Sequence, residues 1–129
     1  EIAGASDAVK RGQYLVEGPG HCGECHTPRN LLGGPKLGQW LAGATNPEGK
    51  GVIPNITGGE GGIDAWKESE LTSALKDGFT PDFDSLGGSM ASVVLNWSHA
   101  PDADRAAVAA YLKAIPAHPN GYPAPVAAK

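Results

Sequence analysis

Glycine and proline are abundant in this sequence, and this limits its possible folds more than any other feature. The chain has 19 glycines and 11 prolines among 129 residues, a share near that of disordered chains. However, 40% of the residues are apolar, which favours a folded domain. Only 6% of the residues are aromatic. The sequence therefore predicts a loop-rich domain that packs around something other than its own side chains.

Charge and hydropathy exclude two broad classes of protein. The formal net charge is -4 at pH 7, which argues against a general nucleic-acid binder. No apolar run approaches the roughly 18 residues that a transmembrane helix needs. The first five residues do not have the charged and apolar pattern of a secretory signal, so we expect that any such signal has been removed or never existed.

Hydrophobic periodicity and capping residues predict short helices separated by glycine-rich loops. The predicted helices cover residues 7–17, 68–77 and 104–115, with a shorter helical turn at 91–97. Residues 27–62 have no sustained period and read as a long irregular loop. Because no stretch alternates like a strand, we expect an all-α domain over residues 1–116, followed by a proline-rich tail at 117–129.

The run Cys22-Gly23-Glu24-Cys25-His26 carries the chemistry. It is the C-x-x-C-H attachment signature of haem c. Two thiols three residues apart lie on one side of a helical turn, where both can bond the porphyrin, and the adjacent imidazole can bind the iron. A zinc site would need two more ligands at a suitable spacing, and a thioredoxin-like pair would need a βαβ pattern. A lone disulfide remains an alternative.

The second axial ligand is predicted from a short set of candidates. The chain has a single methionine, Met90, in a Gly-Gly-Ser-Met run between two predicted helices. An isolated methionine often only fills a gap in a core, but the flanking glycines favour presentation by a loop. His99 and then Asn96 are the competing ligands. We expect His26 and Met90 to bind the iron, a pairing that raises the reduction potential.

Taken together, these motifs resemble the class I c-type cytochromes over nearly the whole chain, in the family's order. Residues 7–12 are similar to the N-terminal helix, and residues 109–113 to the C-terminal helix. The Gly-Pro-Lys-Leu run at 34–37 resembles a turn whose proline carbonyl binds the proximal imidazole, which implies that Pro35 orients His26. The segment 65–71 resembles a helix whose tryptophan contacts a haem propionate, which implies this role for Trp66.

Three further stretches, at residues 26–29, 54–57 and 86–90, are similar to the cytochrome domains of bacterial membrane-bound alcohol, aldehyde and sugar-acid dehydrogenases. Those subunits often carry several haems, whereas this chain has one C-x-x-C-H run. Arg29 is expected either to pair with a propionate or to be solvated, and Asn55 either to bind a propionate or to form a turn. Trp40 and Trp97 are read as packing residues. Tyr111 is expected to pack against Gly12 where the first and last helices cross.

The resemblance implies a one-electron carrier rather than an enzyme. Its cofactor would be one haem c attached through Cys22 and Cys25, in a protein exported to the bacterial periplasm after removal of a signal peptide. The expected partners are a periplasmic dehydrogenase and an oxidase or another cytochrome, with no nucleic acid, and the protein is expected to be a monomer. The alternative is a haem protein with a labile sixth position that binds diatomic ligands or acts as a peroxidase.

Overall fold

The computed structural model describes residues 5–46, 51–59, 61–86 and 90–122. These residues form helices α1 (Asp7–Glu17), α2 (Gly23–His26), α3 (Glu68–Asp77), α4 (Met90–Ser98) and α5 (Asp102–Ala114), a short 3-10 helix (Leu37–Gln39), and strands β1 (Ala44–Thr45) and β2 (Val52–Ile53). They divide into two compact units. The first comprises residues numbered 1–20 and 65–115, and the second 21–64 and 116–129.

The crossing of α1 and α5 dominates the first unit, and a glycine makes it possible. Helix α1 begins at a capping serine, because the Ser6 hydroxyl accepts a hydrogen bond from the Val9 N–H at 3.2 Å. A Cβ atom at Gly12 would overlap the Ala107 carbonyl oxygen and come within 2.6 Å of Tyr111 Cβ. Tyr111 is buried. The predicted packing of Tyr111 against Gly12 is confirmed.

Helix α3 has the bounds that the sequence predicts, because both of its ends are specified locally. The Glu70 carboxylate accepts a hydrogen bond from the Lys67 N–H at 2.8 Å, which satisfies one free donor at the start of the helix. Gly78, at φ +81°, ends it in the left-handed conformation that glycine tolerates. Its buried residues are Leu71 and Ala74, three positions apart and therefore on one face of the helix, and α3 packs against both α4 and α5.

Two helices differ from the predicted bounds. Helix α4 begins at Met90, so Met90 lies in a helix and not in the expected loop; residues 87–89 lie outside the described residues. The reason is that apolar residues at 90, 93, 94 and 97 follow helical spacing. Helix α5 covers Asp102–Ala114, so it begins two residues and ends one residue before the predicted bounds; its first turn includes the acidic residues Asp102 and Asp104, which suit the start of a helix.

The second unit contains a small sheet that the all-α prediction missed. Strands β1 and β2 are antiparallel, with Ala44 opposite Ile53 and Thr45 opposite Val52. At two residues each, the strands are too short to show alternation in the sequence. Buried residues of this unit include the apolar side chains of Leu41, Ala42 and Ile63, and the polar side chains of Thr27, Asn55 and Thr57.

Two other predictions concern the proline-rich tail and the lack of a transmembrane helix. Residues 117–122, from the predicted proline-rich tail, include His118, Asn120 and Gly121, which make hydrogen bonds to residues 42–57 of the second unit. Among the described residues, no helix has the length and apolar character needed to cross a membrane.

Candidate cofactor site

The two cysteines lie on one helical turn, as the motif predicts. The N–H groups of Cys25 and His26 both donate to the Cys22 carbonyl oxygen, at 3.3 and 3.0 Å. Both cysteines are free thiols; Cys25 is exposed and Cys22 is half-buried. The backbone therefore presents the two sulfur atoms at i and i+3, and the imidazole directly after them, from the second unit alone.

The orientation of His26 is fixed by a backbone carbonyl. Its side chain is buried, and Nδ1 lies 2.8 Å from the Pro54 carbonyl oxygen. Because a carbonyl oxygen can only accept a hydrogen bond, Nδ1 carries the proton and Nε2 keeps a lone pair. Burial lowers the pKa of His26, against a smaller opposing effect of the hydrogen bond to Pro54. The imidazole is therefore neutral at pH 7, in the tautomer that binds a metal through Nε2.

The prediction that Pro35 orients His26 is wrong, since the accepting carbonyl belongs to Pro54. Pro35 instead pairs with Arg29 in an isolated antiparallel bridge. The Lys36 N–H next to it donates to the Pro28 carbonyl at 2.8 Å. These bonds make residues 28–36 a hairpin in which Pro35 is exposed. Pro54 follows β2, so its carbonyl is positioned by the sheet that the sequence did not reveal.

Arg29 supports the haem-motif helix from this hairpin. Its guanidinium donates to the Gly33 carbonyl at 2.6 Å and to the Glu24 carbonyl at 3.1 Å. The side chain is exposed, yet neither predicted alternative included these backbone partners. The contacts connect α2 to the hairpin that follows it. A pairing with a propionate stays a prediction.

Asn55 forms a turn, which is one of its two predicted roles, and its role as a propionate ligand stays a prediction. Its side-chain oxygen accepts from the N–H and the hydroxyl of Thr57, at 2.8 and 2.7 Å. Its amide nitrogen donates to the His118 carbonyl at 2.9 Å and to the Asn120 side chain at 3.1 Å. These four bonds use the full hydrogen-bonding capacity of an asparagine side chain.

Two residues next to the cysteines have structural roles that sequence reasoning missed. A Cβ at Gly23 would overlap the ring of Trp40, so a larger residue at the second position of the motif would require this ring to shift. The buried Thr27 hydroxyl accepts from the Leu41 N–H at 2.9 Å. The predicted packing role of Trp40 is confirmed. A glycine inside the motif was the only signal in the sequence, and it does not identify the tryptophan.

The remaining predicted site residues belong to the first unit. Met90 is half-buried at the start of α4, while His99 and Asn96 are exposed. Trp66 is half-buried just before α3, and its carbonyl accepts a hydrogen bond from Lys113 Nζ at 2.8 Å. The roles of Met90 as an axial ligand and of Trp66 as a propionate donor stay predictions.

The cysteine chemistry disfavours the other readings of the motif. Burial raises the pKa of Cys22 to about 11, so its thiol is protonated at neutral pH. Catalytic C-x-x-C pairs have the opposite property, a lowered thiol pKa. Across the described residues, no three His, Cys, Asp or Glu side chains cluster closely enough to hold a metal ion.

Comparison with known proteins shows which proteins this chain is related to. No family model matches it. It is 59% identical over 108 residues, 84% of its length, to a protein of Cereibacter sphaeroides described as a diheme cytochrome c-type. It is 40% identical to the fructose dehydrogenase cytochrome subunit of Gluconobacter japonicus, over 87% of the chain. It is also 40% identical, over 88% of the chain, to the cytochrome c subunit of the quinone alcohol dehydrogenase of Gluconobacter oxydans.

This chain is of the cytochrome c type. The resemblance to cytochrome subunits of dehydrogenases is confirmed by these relatives. The cytochrome chain spans 36% of the length of the Cereibacter protein, 23% of the fructose dehydrogenase subunit and 25% of the alcohol dehydrogenase subunit.

The residues of this cytochrome fit a covalently attached haem. Cys22 and Cys25 supply two free thiols on one helical turn. His26 supplies an imidazole whose Nδ1 is hydrogen-bonded to the Pro54 carbonyl and whose Nε2 can bind a metal. With only two cysteines and one C-x-x-C-H run, this sequence has attachment residues for one haem.

Proposed function

We propose that this cytochrome is a periplasmic one-electron carrier with one haem c attached through Cys22 and Cys25, and with His26 and Met90 as the axial ligands. The haem supplies an iron that exchanges a single electron between its ferric and ferrous states. The protein supplies attachment, ligation and surroundings that set the potential. No substrate is transformed, so we do not assign an enzymatic activity to this chain.

The arrangement of His26 is the observation that carries the proposal. The imidazole is buried, neutral, and held through Nδ1 by the Pro54 carbonyl. Histidines that bind a metal almost always donate their other N–H in this way, which fixes the ring and raises its basicity as a ligand. The two free thiols one turn earlier supply what covalent attachment requires.

Met90 is the proposed second ligand because its thioether is the one methionine sulfur in the chain. Ligation by histidine and methionine is typical of cytochromes that transfer electrons, and it raises the reduction potential. An iron held on both sides has no open position for a substrate. His99 and Asn96 are exposed, which favours Met90 over them.

The names of the relatives support the proposed partners, and the proposed periplasmic location rests on the resemblance to bacterial c-type cytochromes. The names of the relatives include cytochrome subunits of fructose, alcohol and gluconate dehydrogenases. We therefore propose that a dehydrogenase delivers electrons to this cytochrome, and that an oxidase or another cytochrome accepts them. Docking should be weak and transient. With a net charge of -4, we expect only a modest dependence of docking on salt.

Optical spectra of the oxidised and dithionite-reduced protein test the proposal. We expect sharp reduced bands, and in the oxidised protein a weak near-red band from iron–sulfur ligation that disappears in Met90→Ala. Val93→Ala, a truncation of a half-buried residue in the same helix, should keep the band and controls for disturbance of α4.

Two results would contradict the proposal. A haem spectrum without the near-red band, which shifts readily with carbon monoxide, would instead indicate the ligand-binding alternative with a labile sixth position. A protein produced with haem-attachment machinery that shows no haem spectrum would exclude both functions.

A further inference from the structure

Two segments of the chain form hydrogen bonds with His26, one containing Pro54 and the other containing Gly43, and both contact the same C-terminal segment. The imidazole donates to the Pro54 carbonyl, and the His26 carbonyl accepts from the Gly43 N–H at 2.6 Å. Residues 118–122, which we call the C-terminal strap, contact both of these segments within the second unit. The surroundings of His26 therefore depend on residues almost a hundred positions further along the chain.

Asn55 joins the C-terminal strap to the segment that contains Pro54. It directly follows Pro54, and its amide donates to the His118 carbonyl and to the Asn120 side chain. The Thr57 hydroxyl accepts from the His118 N–H at 3.0 Å and reinforces this contact. Asn55 is only 2% exposed, so its own end of these bonds is shielded from competing water.

Close backbone packing joins the C-terminal strap to the segment that contains Gly43. The Gly121 N–H donates to the Ala42 carbonyl at 2.9 Å. Gly43 has φ +89°, and a Cβ there would lie 2.5 Å from the Tyr122 ring and 2.7 Å from the Ile53 carbonyl oxygen. This position therefore requires glycine for its backbone conformation and for its space.

We infer that Asn55 is a positioning residue for His26: by holding the C-terminal strap, it keeps the Pro54 carbonyl at hydrogen-bonding distance from Nδ1. The inference rests on the proposed function, in which His26 binds the haem iron. A hydrogen bond to Nδ1 makes the imidazole a more basic ligand, which favours the ferric state. Loosening Asn55 should weaken this bond and raise the reduction potential.

Three variants of the haem-containing protein test the inference. Asn55→Ala removes all four side-chain bonds, and Asn120→Ala removes one of them from an exposed residue, so it keeps the test open if Asn55→Ala does not fold. Asn30→Ala is the matched control. Asn30 also accepts two backbone N–H bonds in the second unit, from Leu32 and Gly34, but in the hairpin at 28–36.

The measurements are the reduction potential and the exchange rate with solvent of the His26 Nδ1 proton, followed by nuclear magnetic resonance. We expect a higher reduction potential in Asn55→Ala. We also expect roughly tenfold faster exchange of the Nδ1 proton, because the hydrogen bond from His26 to the Pro54 carbonyl would be weakened by about the net energy of one hydrogen bond. Asn120→Ala should change both in the same direction by less, and Asn30→Ala should change neither.

Two outcomes would overturn the inference. One is an unchanged potential and exchange rate in Asn55→Ala and Asn120→Ala with a normal haem spectrum, which leaves the proposed function intact. The other is an equal change in Asn30→Ala, which would indicate general loosening. Failure of the proposed function is distinguishable, because the unsubstituted protein would then lack either a haem spectrum or the near-red band of iron–sulfur ligation.

Discussion

His26 and Pro54, 28 residues apart in the sequence, are joined by a 2.8 Å hydrogen bond from the imidazole Nδ1 to the carbonyl oxygen. This bond selects one tautomer of a buried histidine and leaves Nε2 able to bind a metal. A proline carbonyl suits this role, because proline restricts the backbone that carries it.

The burial of His26 predicts how stability depends on pH. Because burial lowers its pKa in the folded protein, the unfolded imidazole takes up a proton near pH 6.5 while the folded one does not. The free energy of unfolding should therefore be unaffected by His26 above about pH 7.5 and fall below about 6.5, by at most about 1.4 kcal/mol per pH unit. Urea unfolding at pH 8.0 to 5.5 measures this slope. Binding of iron to Nε2 acts in the same direction.

The matched control for this titration is His99→Gln, because His99 is exposed. It should keep the fall in stability below pH 6.5. A flat profile between pH 8.0 and 5.5 in the unsubstituted protein would show that His26 takes up its proton equally in both states.

Gly23→Ala should disturb the haem motif although it preserves both cysteines and the histidine. The added methyl group would overlap the Trp40 ring, and overpacking of this kind costs about 1–3 kcal/mol. We expect a lower melting temperature and a smaller yield of protein with covalent haem. Glu24→Ala, at an exposed position of the same motif, is the control and should change neither.

A second substitution tests the cause assigned to this effect. Trp40→Leu gives the new methyl group more space, so in the double variant the two changes should cost less than their sum. Strict additivity would refute the proposed overlap.

Arg105 is the buried charge on which the end of α4 depends. It donates to the carbonyls of Trp97 and Ala100, at 2.7 and 2.6 Å, and pairs with Asp102. Arg105→Met would leave carbonyls without their partner, which we expect to cost about 3 kcal/mol in unfolding free energy. Arg11→Ala, which removes an exposed pair with Asp104, should cost less than about 1 kcal/mol. Equal losses in guanidinium-chloride unfolding would contradict the assignment.

The crossing of α1 and α5 should not tolerate a methyl group at Gly12. Gly12→Ala would force the Ala107 carbonyl and Tyr111 away, and we expect a loss of about 1–3 kcal/mol in unfolding free energy. Gly38→Ala is the control, because nothing lies within 4 Å of the position of its Cβ. A gain in stability at Gly12, as expected from helix propensity alone, would show that the helices can separate without cost.

Local chemistry explains which parts of this cytochrome the sequence predicted. The ends of α1 and α3 are specified by residues inside or next to each helix, such as Ser6 and Gly78, so their bounds follow from the sequence. The helical turn of the C-x-x-C-H run is equally local. The narrow groove at Gly12 was predicted because the family resemblance supplied the partner helix.

Features that depend on contacts between residues distant in the sequence became clear only from the tertiary structure. Two-residue strands leave no periodic pattern, so neither the sheet nor the Pro54 carbonyl next to it was visible in the sequence. The roles of Asn55 and Gly23 depend on the strap and on Trp40, which are distant or unmarked in the chain. The sequence by itself determined the residue types that can attach and bind haem; only the folded chain determined which groups orient them, because a hydrogen bond depends on distance in space.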